Sequence, residues 1–563
     1  MNDIRRTVLW VIFGFSMVLL WDQWQVYNGH KATFFPKPEL KTEASANPSA
    51  AASAGVPAPS AAQSAPPSTQ VPSSPNAATT QPHPTVEVHT DVLKLRFDSE
   101  GGTLTRAELL KQRNDHKPDE NVVLMDQTAE RVYLAQTGLI GQAGINWPTH
   151  KTVMTLRPGP RELKDGQDEL QLVFESPVQD GLKLIKTYVL KRGSYEMTVR
   201  HDIVNSGNQA VSPQLYVQLV RDGNKPAGES SFYSTFTGPA VFTEAKKYQK
   251  VEFEKIKKKS AEFEKSATTG YVAMVQHYFA SAWLLPDGMK RDIAMDAVDI
   301  GVATPDCCYR ATMIAPLDAV KPGETQQVSA KLYVGPQEEN KLEAIYPGLE
   351  LVKDYGWLTI LAKPLFWLLD HLNRVLQNWG WSIVALVVLL KAAFYWLNAQ
   401  AYRSMAKMKA INPRIMEMRE RLKDNPQQMQ MEMMKIYREE KVNPMGGCLP
   451  IVVQIPVFIA LYWVLLSTVE IRNAPWLGWV HDLAAPDPYF ILPLLMTGTT
   501  LLQTWLNPTP PDPIQAKMMW IMPLAFSVMF FFFPAGLVLY WLTNNILSIA
   551  QQWMINKQLG VLK

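Results

Sequence analysis

The stretch ALVVLLKAAFYWL, residues 385–397, decides how this chain is built. Every residue in it except Lys391 is apolar or aromatic, and the longer uncharged segment around it is long enough to cross a membrane. A charge at the centre of such a helix costs roughly 2.5–3.5 kcal/mol on insertion scales. The lysine therefore indicates one of two things: a side chain that reaches up to the lipid headgroups, or a functional position in a polar cavity.

Further apolar stretches predict more spans. Residues 448–466, 489–506, 518–533 and 535–553 contain no charged residue, and each has about 16–20 residues, enough to cross with some bilayer thinning. An earlier apolar run at residues 7–21 follows two arginines and lacks a small-residue cleavage site, which favours an uncleaved anchor. With residues 379–397, six spans result.

The charges of the connecting segments predict the orientation. Residues 398–445 carry ten Lys and Arg against six Asp and Glu, which is typical of a cytoplasmic loop. Residues 469–488 carry one basic residue and three acidic ones, so this segment is expected on the outer side. The N-terminus and the C-terminus are then both cytoplasmic.

Outside the spans, composition divides the chain again. Residues 27–85 are rich in Pro, Ala and Ser and predict a disordered or extended tether. Residues 86–345 contain short alternating strands such as VLKLRF and LKLIKTYVL, separated by turns such as Gly101-Gly102, and predict a large β-sandwich. Residues 354–378 have the apolar spacing of an amphipathic helix with a kink at Pro364, suited to lie on a bilayer.

The basic loop contains a second helical pattern. Met408, Ile411, Ile415, Met418 and Leu422 step by three and four, and a matching seam after residue 426 predicts an antiparallel two-helix coiled coil. The seam methionines can be explained by packing alone. The methionines that lie off the seam are candidates for contact with a partner, because methionine suits adaptable surfaces. These are Met416, Met431 and Met434.

Hydroxyl and amide side chains are frequent in the spans around Lys391, and two roles can explain their presence. They can be ordinary hydrogen bonds between helices, worth about 0.6 kcal/mol each, or they can line a hydrated groove. None of the five C-terminal spans contains a carboxylate, so a counter-charge for the lysine would come from outside the chain. The polar residues are Gln454, Thr497, Thr499, Thr500, Gln503, Thr504, Thr543, Asn544, Asn545, Ser548, Gln551 and Gln552.

Composition and motifs exclude several other functions. The net charge of +3 is too small to indicate nucleic-acid binding. Cys307, Cys308 and Cys448 have no metal-binding spacing, and adjacent cysteines rarely bridge, so neither a metal site, a cofactor nor a disulfide framework is expected. No hydrolase, metalloprotease or phosphate-binding motif is present, which argues against an enzyme or carbohydrate receptor built on the β-region. The main alternative is a secondary transporter of a small solute.

Four segments together resemble the YidC/Oxa/Alb family of membrane protein insertases, in its Gram-negative form. They are NWGWSIVALVVLLKAAFYWL, MAKMKAINPRI, EKVNPMGGCLPIVVQIPVFIALYWVL and FPAGLVLYW. The most distinctive parts are N-P-x-G-G-C-x-P and F-P-x-G-L-V-L-Y, and the preceding anchor, tether and β-region are similar to that family's first span and large periplasmic domain. The resemblance implies a β-supersandwich similar to galactose mutarotase, without catalytic activity.

The resemblance also implies a function and a site. Family members are thought to hold a hydrophilic groove in which a positive residue of the second span, usually arginine, attracts acidic segments of incoming substrates; Lys391 matches that position. Lysine keeps the charge but loses the bidentate geometry of arginine. The groove residues expected here are Lys391, Val387, Gln454, Pro456, Cys448, Thr497, Gln503, Met529, Phe530, Tyr540, Trp541 and Asn544. The expected partners are nascent membrane proteins, membrane lipids, the Sec translocon and the ribosome or targeting factors.

We therefore predict a polytopic α-helical protein of the bacterial inner membrane, with six spans, a five-helix insertase core, a cytoplasmic helical hairpin and a large all-β periplasmic sandwich. Its predicted segments are an anchor (1–26), a linker (27–85), the β-sandwich (86–345), the interfacial helix (354–378), the second span (379–397), the coiled-coil hairpin (398–445), the third to sixth spans (446–556) and a short tail (557–563).

Overall fold

The computed structural model describes residues 83–114, 117, 119–226, 235–299, 307–422, 425–440, 449–507 and 513–558. The predicted anchor, the linker up to residue 82, Cys448 and the end of the tail lie outside these residues.

The first half of the described chain is a sandwich of two antiparallel sheets, which confirms the predicted large β-sandwich. The strands form because residues of their sequence alternate between the core and the surface. Along Glu196–Asn205, half-buried and buried residues follow each other at every step. The first sheet runs in the order β1 (Thr85–His89), β2 (Leu93–Asp98), β3 (Thr103–Arg113), β5 (Tyr133–Ile140), β10 (Gln214–Arg221), β17 (Tyr309–Pro316), β16 (Arg291–Ala297) and β13 (Ser266–Ala267), with β4 (Asn121–Met125) beside β3. The second sheet runs in the order β12 (Lys247–Lys250), β11 (Gly238–Thr243), β14 (Tyr271–Gln276), β15 (Phe279–Leu284), β18 (Thr325–Pro336), β9 (Glu196–Asn205), β8 (Leu182–Lys191), β7 (Glu169–Glu175) and β6 (Thr155–Leu156).

The two sheets enclose an apolar core and are joined by hydrogen bonds across it. The indole of Trp283 on β15 donates to the carbonyl of Gln218 on β10 at 3.0 Å, and the hydroxyls of Tyr133 and Ser281 lie 2.7 Å apart. Buried polar groups with partners fix how the sheets face each other. At the edge of the sandwich the sulfurs of Cys307 and Cys308 are bonded to each other, so the expectation that these cysteines stay unbridged is wrong.

The second half of the described chain is helical, which confirms the predicted C-terminal helices. Two short helices belong to the sandwich and to its end, α1 (Phe253–Lys257) and α2 (Glu339–Ile345). The longer helices are α3 (Thr359–Leu376), α4 (Trp379–Ala393), α5 (Tyr395–Arg421), α6 (Pro426–Glu439), α7 (Leu449–Ser467), α8 (Ile491–Leu506), α9 (Pro513–Met529) and α10 (Ala535–Gln558). Within the described residues, no helix taken alone combines the length and apolarity of a membrane span, whereas the bent pair α4 and α5 does so jointly.

The segment predicted as the second span, residues 379–397, is divided between two helices. Helix α4 ends at Ala393, Phe394 takes a non-helical conformation, and α5 leaves at 69° to α4. Three consecutive aromatic residues start at Phe394, and such side chains lose rotamer freedom in a helix. The side-chain amide of Gln551 on α10 holds the new direction by donating to the carbonyl of Tyr395 at 3.2 Å. Lys391 therefore lies in the last turn of α4.

Helices α5 and α6 form an antiparallel hairpin. The buried side chains between them are Ile411, Ile415, Met418 and Ile436, with Met408, Leu422, Met429 and Met433 packed beside them. Arg414 pairs with Glu439 and Glu440 at 3.2 and 3.0 Å, and Arg421 pairs with Glu432 at 3.2 Å, a crossing order that only antiparallel helices give. The ion pairs are exposed, so the apolar seam supplies most of the stability.

The sandwich and the helices meet around Lys353, whose side chain is fully buried. Its ammonium lies 3.3 Å from the carboxylate of Glu470, 3.9 Å from that of Glu339, and 3.7 Å from the centre of the Phe366 ring. The hydroxyl of Tyr355 donates to Glu339 as well. Burial raises the pKa of the Glu339 carboxyl, although the charge of Lys353 opposes this shift. A buried lysine with two carboxylates and an aromatic face thus ties four segments together.

Candidate functional site

Lys391 lies between α4 and α10 and is half-buried. Its ammonium donates to the hydroxyl of Ser548 on α10 at 2.7 Å, and that hydroxyl donates in turn to the backbone carbonyl of Asn544 at 2.7 Å. Among the residues that the structure describes, no carboxylate lies within ion-pair distance of this ammonium. The lysine therefore points toward α10, and within the described residues its hydrogen-bond partner is a neutral hydroxyl.

Helix α10 carries polar side chains toward two sets of neighbours. Asn545 donates to Thr500 on α8 at 3.0 Å, and Gln552, two turns further on, donates to Asn507 at 3.0 Å. On another side of α10 the amide of Gln551 reaches the backbone of α5. With the amide of Gln454 on α7, which donates to Asn398 at 3.1 Å, these residues form what we call the polar cluster. The polar cluster consists of Lys391, Asn398, Gln454, Thr500, Asn507, Asn545, Ser548, Gln551 and Gln552.

Two amide atoms of the polar cluster are buried without a partner among the described residues: Nδ2 of Asn398 and Oε1 of Gln552. An unpaired buried amide atom costs about 1–3 kcal/mol in a dry interior, and less where water reaches it. The cluster thus combines one positive charge with hydrogen-bonding capacity that the protein itself leaves partly unused. That is the chemistry of a site that attracts an acidic or polar segment.

The structure brings only some of the predicted groove residues together. Lys391 and the backbone of Asn544 meet through Ser548, and Gln454 belongs to the same cluster. The hydroxyl of Thr497 donates to the carbonyl of Pro493 in its own helix at 2.8 Å, and Gln503 is half-buried. Val387 is buried in the apolar core, and Pro456 is half-buried within α7.

The predicted aromatic residues form a separate cluster where α7, the end of α9 and the start of α10 converge. The Trp541 ring centre lies 4.5 Å from that of Phe458 and 5.0 Å from that of Phe530, and Tyr540 stacks on Phe458 at 5.9 Å. Phe530 and Tyr540 are buried, whereas Met529 is 37% exposed. The aromatic cluster is therefore mostly packing, with Met529 left at the surface.

Sequence reasoning missed the pairing of the polar residues. Asn398 and Asn507 were not singled out because they stand at the ends of predicted segments, where an asparagine usually indicates a cap or turn. The spacing of seven between Asn545 and Gln552, which puts both on one face of a helix, is the signal in the sequence that points to this pairing. The identity of the facing residues on α8 required the three-dimensional packing.

A second buried cluster with titratable groups lies inside the β-sandwich. The ammonium of Lys186 donates to the carbonyls of Gly101 and Thr137, and the ring of His201 bonds to the Thr137 hydroxyl at 2.9 Å. Burial lowers the pKa of Lys186 to about 7 and that of His201 to about 3. These groups are sealed in the core between the sheets, so they are not accessible to a solute.

Comparison with known proteins gives matches along most of the chain. The profile of the YidC periplasmic domain matches residues 85–368, and the profile of the 60Kd inner membrane protein matches residues 371–560. The membrane protein insertase YidC of Cupriavidus metallidurans is 54% identical over 560 residues, which cover 99% of this chain and 98% of that protein. The protein of the same name from Ralstonia nicotianae is 54% identical over 561 residues, 100% of this chain and 99% of that one. A crystal structure of an active YidC insertase with its first transmembrane domain resolved is 18% identical, with a TM-score of 0.39, over 84% of this chain and 92% of that one.

Proposed function

The chain belongs to the YidC family of membrane protein insertases, and from this premise we propose that it inserts membrane proteins by drawing their acidic segments to Lys391 in a hydrophilic groove formed by the polar cluster. It is an inner-membrane protein with a periplasmic β-sandwich, and its family is not a family of known enzymes. The relatives do not support the alternative of a secondary transporter.

The observation that carries the proposal is the direction of the Lys391 side chain. It points inward to Ser548 and has no carboxylate near it in the described residues. A lysine that only reached for lipid headgroups would not donate to a side chain of the bundle interior, whereas here the ammonium donates to the buried Ser548 hydroxyl of α10. A passing carboxylate is the partner that such an ammonium lacks.

We propose that the described helices provide five of six spans, with residues 1–26 as the sixth. The bend between α4 and α5 leaves a short hydrophobic segment for the second span. Short spans thin the bilayer around them, and thinning reduces the distance that a polar segment travels through hydrocarbon. The charge difference between residues 398–445 and residues 469–488 supports cytoplasmic termini.

The substrate helix then leaves into lipid along α7 and α9. The exposed side chains of these helices are large and apolar, including Ile455 at 48%, Phe526 at 56% and Val528 at 59% exposure. Such faces contact a transmembrane helix through van der Waals packing without binding it tightly. Release is driven by the burial of the substrate's own apolar surface in the membrane.

The hairpin is proposed to receive substrates or their delivery partners, among them the ribosome, targeting factors and the Sec translocon. Met416, Met431 and Met434 are 53%, 68% and 58% exposed and take no part in the apolar seam. Flexible thioether side chains on a helix surface suit partners of varied sequence. Replacing Met431 and Met434 by serine should weaken insertion while leaving hairpin helicity unchanged.

Site-specific photocrosslinking during synthesis of a small single-span protein tests the proposal. The crosslinker replaces Met529 or Val453 in turn, and an exposed position on the apolar face of α8, Leu502, serves as the matched control. We expect adducts from Met529 and Val453 that exceed those from Leu502. Absence of adducts at both Met529 and Val453 would overturn the groove as the substrate path.

A further inference from the structure

The two ends of α7 are attached to the rest of the protein in different ways. At its last turn, the hydroxyl of Ser467 donates to the carbonyl of Asp354 at 2.8 Å, and the ring of His277 bonds to the carbonyl of the residue before Ser467 at 2.9 Å. In the other half of the helix, residues 449–460 contain one polar side chain, that of Gln454. Any side-chain hydrogen bond from this half of α7 to another helix therefore involves Gln454.

Gln454 joins this half of α7 to the first turn of α5. Its amide donates to Oδ1 of Asn398 at 3.1 Å. One hydrogen bond between membrane helices shifts an equilibrium by only about threefold. Residues 449–455, named here the hairpin end of α7, are thus held to α5 by a polar contact that a competing hydrogen-bonding group can replace.

Asn398 offers a donor to such a competitor. The residue is 4% exposed, and its Nδ2 has no hydrogen-bond partner within the described part of the chain. A buried amide donor in this state favours any carbonyl or carboxylate that reaches it, because pairing removes the cost of the unmade bond. One amide group therefore holds Gln454 with its oxygen and leaves its nitrogen available to a peptide segment.

Pro456 gives the hairpin end of α7 a point at which it can bend. It lies in the interior of the helix, and because proline has no backbone N–H, the carbonyl of Val452 cannot accept the usual bond from residue 456. Sharp bends in helices occur preferentially at such positions. The hairpin end also carries two exposed apolar side chains, Val453 and Ile455, on the proposed path of the substrate helix.

We propose that the bond between Asn398 and Gln454 is a latch on the path by which a substrate helix leaves the groove. When the latch is closed, it holds the hairpin end of α7 against α5. A carbonyl or carboxylate of the incoming segment takes Nδ2 of Asn398, the amide turns away from Gln454, and α7 swings outward at Pro456. The inference rests on the proposed function, because it assumes that substrates reach the polar cluster and leave along α7.

A reversible bridge tests the latch within one protein. In a Cys448→Ala background, Asn398→Cys is combined with Gln454→Cys, and a short bifunctional methanethiosulfonate joins the two thiols. The reagent spans the gap because a direct disulfide needs Cβ atoms about 3.8 Å apart, whereas two amide side chains fill the space between these backbones. Mass spectrometry measures the bridged fraction.

The readout is insertion of a small single-span protein with an acidic segment into liposomes that contain the full-length variant. A substrate can displace a hydrogen bond but not a covalent bridge. We therefore expect insertion to fall at least about tenfold when the bridge forms, and to return when dithiothreitol removes it. Because the same molecules are compared before and after bridging, a folding defect of the variant does not produce this difference.

Two controls separate the latch from general stiffening and from thiol modification. Ala399→Cys with Ile555→Cys joins the next position of α5 to α10, where both side chains pack in one buried apolar cluster. This bridge leaves α7 free, so insertion should stay within about twofold of the unbridged protein. The two single-cysteine proteins, Asn398→Cys and Gln454→Cys, carry the reagent without a bridge and should show no loss comparable to that of the bridged protein.

The outcomes distinguish the latch from the groove. Undiminished insertion by the bridged protein overturns the latch, as does an equal loss with the bridge between positions 399 and 555, or a loss that reduction does not reverse. Failure of the thiols at positions 398 and 454 to bridge also overturns it, because the two helices then do not meet at this level. Lys391→Glu reports on the groove in the same assay: if it reduces insertion while the bridge does not, the proposed function stands without the latch.

Discussion

The junction around Lys353 and the polar cluster around Lys391 surround a lysine ammonium with opposite kinds of partner. Both place a lysine ammonium in the interior of the protein. Lys353 has two carboxylates and an aromatic ring, all supplied by the chain. Lys391 has a hydroxyl, and no carboxylate of the described residues lies near it. A charge with its counter-charge built in holds segments together, whereas a charge without one remains able to attract a counter-charge from elsewhere.

Lys186 in the β-sandwich represents a third arrangement. Its partners are backbone carbonyls, and burial lowers its pKa to about 7, so the neutral form becomes easily reached. The comparison teaches that burial alone does not identify a functional lysine. The chemical groups that the ammonium contacts identify it. Four substitutions at these lysines and their partners test this distinction.

Replacing Lys353 by methionine should have the largest effect. The change leaves Glu339 and Glu470 facing each other in a buried site, and breaking a buried ion pair in this way costs about 3–5 kcal/mol. Thermal unfolding of the purified protein in detergent, followed by circular dichroism, measures the loss. Lys331→Met removes an exposed pair with Glu196 and is the matched control, with an expected loss below about 1 kcal/mol. Similar losses in the two variants would remove the distinction between the lysines.

The pH dependence of stability should reveal Lys186. Its pKa is about 7 in the folded protein and 10.5 in the unfolded chain, so between these values the unfolded chain binds more protons. The free energy of unfolding therefore rises with pH, by roughly 1.5–2 kcal/mol from pH 7 to pH 8.5. Urea unfolding of the β-sheet signal at several pH values measures the slope. The slope should flatten in Lys186→Met, and an unchanged slope would assign it to another group.

Charge reversal at Lys391 should come next in size and should depend on the substrate. Two unit charges 4 Å apart interact by about 4 kcal/mol at an effective dielectric constant of 20, so Lys391→Glu should reduce insertion of a substrate with an acidic tail by at least about tenfold. Lys391→Arg keeps the charge and should keep activity. Insertion assays with the acidic tail and with its amide counterpart measure the difference. Equal tolerance of Glu and Arg would mean that the lysine only reaches for headgroups.

The smallest effect is expected from Ser548→Ala. The hydroxyl accepts one hydrogen bond from Lys391, and such bonds between membrane helices are worth about 0.6 kcal/mol on average. Insertion should stay within about twofold of the parent, because the charge and not its hydroxyl partner attracts the substrate. A loss of insertion as large as that of Lys391→Glu would instead mean that Ser548 contributes as much to the site as the charge of Lys391.

The hydrophobic periodicity and the composition of the sequence predict much of this architecture. Alternation along residues 182–190 predicted a strand that the structure has at Leu182–Lys191, and the three-four spacing from Met408 to Leu422 predicted which side chains pack between α5 and α6. These patterns are local, because each element shows its buried face in its own sequence. The unusual lysine at position 391 was visible for the same reason.

Other features depend on contacts between distant residues and left no local pattern. The break at Phe394 depends on Gln551, more than 150 positions away, and the buried state of Lys353 depends on Glu470. Val387 looked like a groove residue by position but is buried in the apolar core. In a uniformly apolar helix, no periodicity shows which side faces a neighbour.

Helix α5 gives the hairpin a mechanical connection to Lys391. It runs without interruption for 27 residues from Tyr395 to Arg421, about 40 Å, and its first residue is held to α10 by Gln551. A rotation of about 10° at Phe394 moves the far end by roughly 7 Å. Conversely, a force on the hairpin tip acts through the whole length of α5 on a bend that lies three residues from Lys391. The 69° bend at Phe394 thus couples the position of the hairpin tip to the surroundings of Lys391.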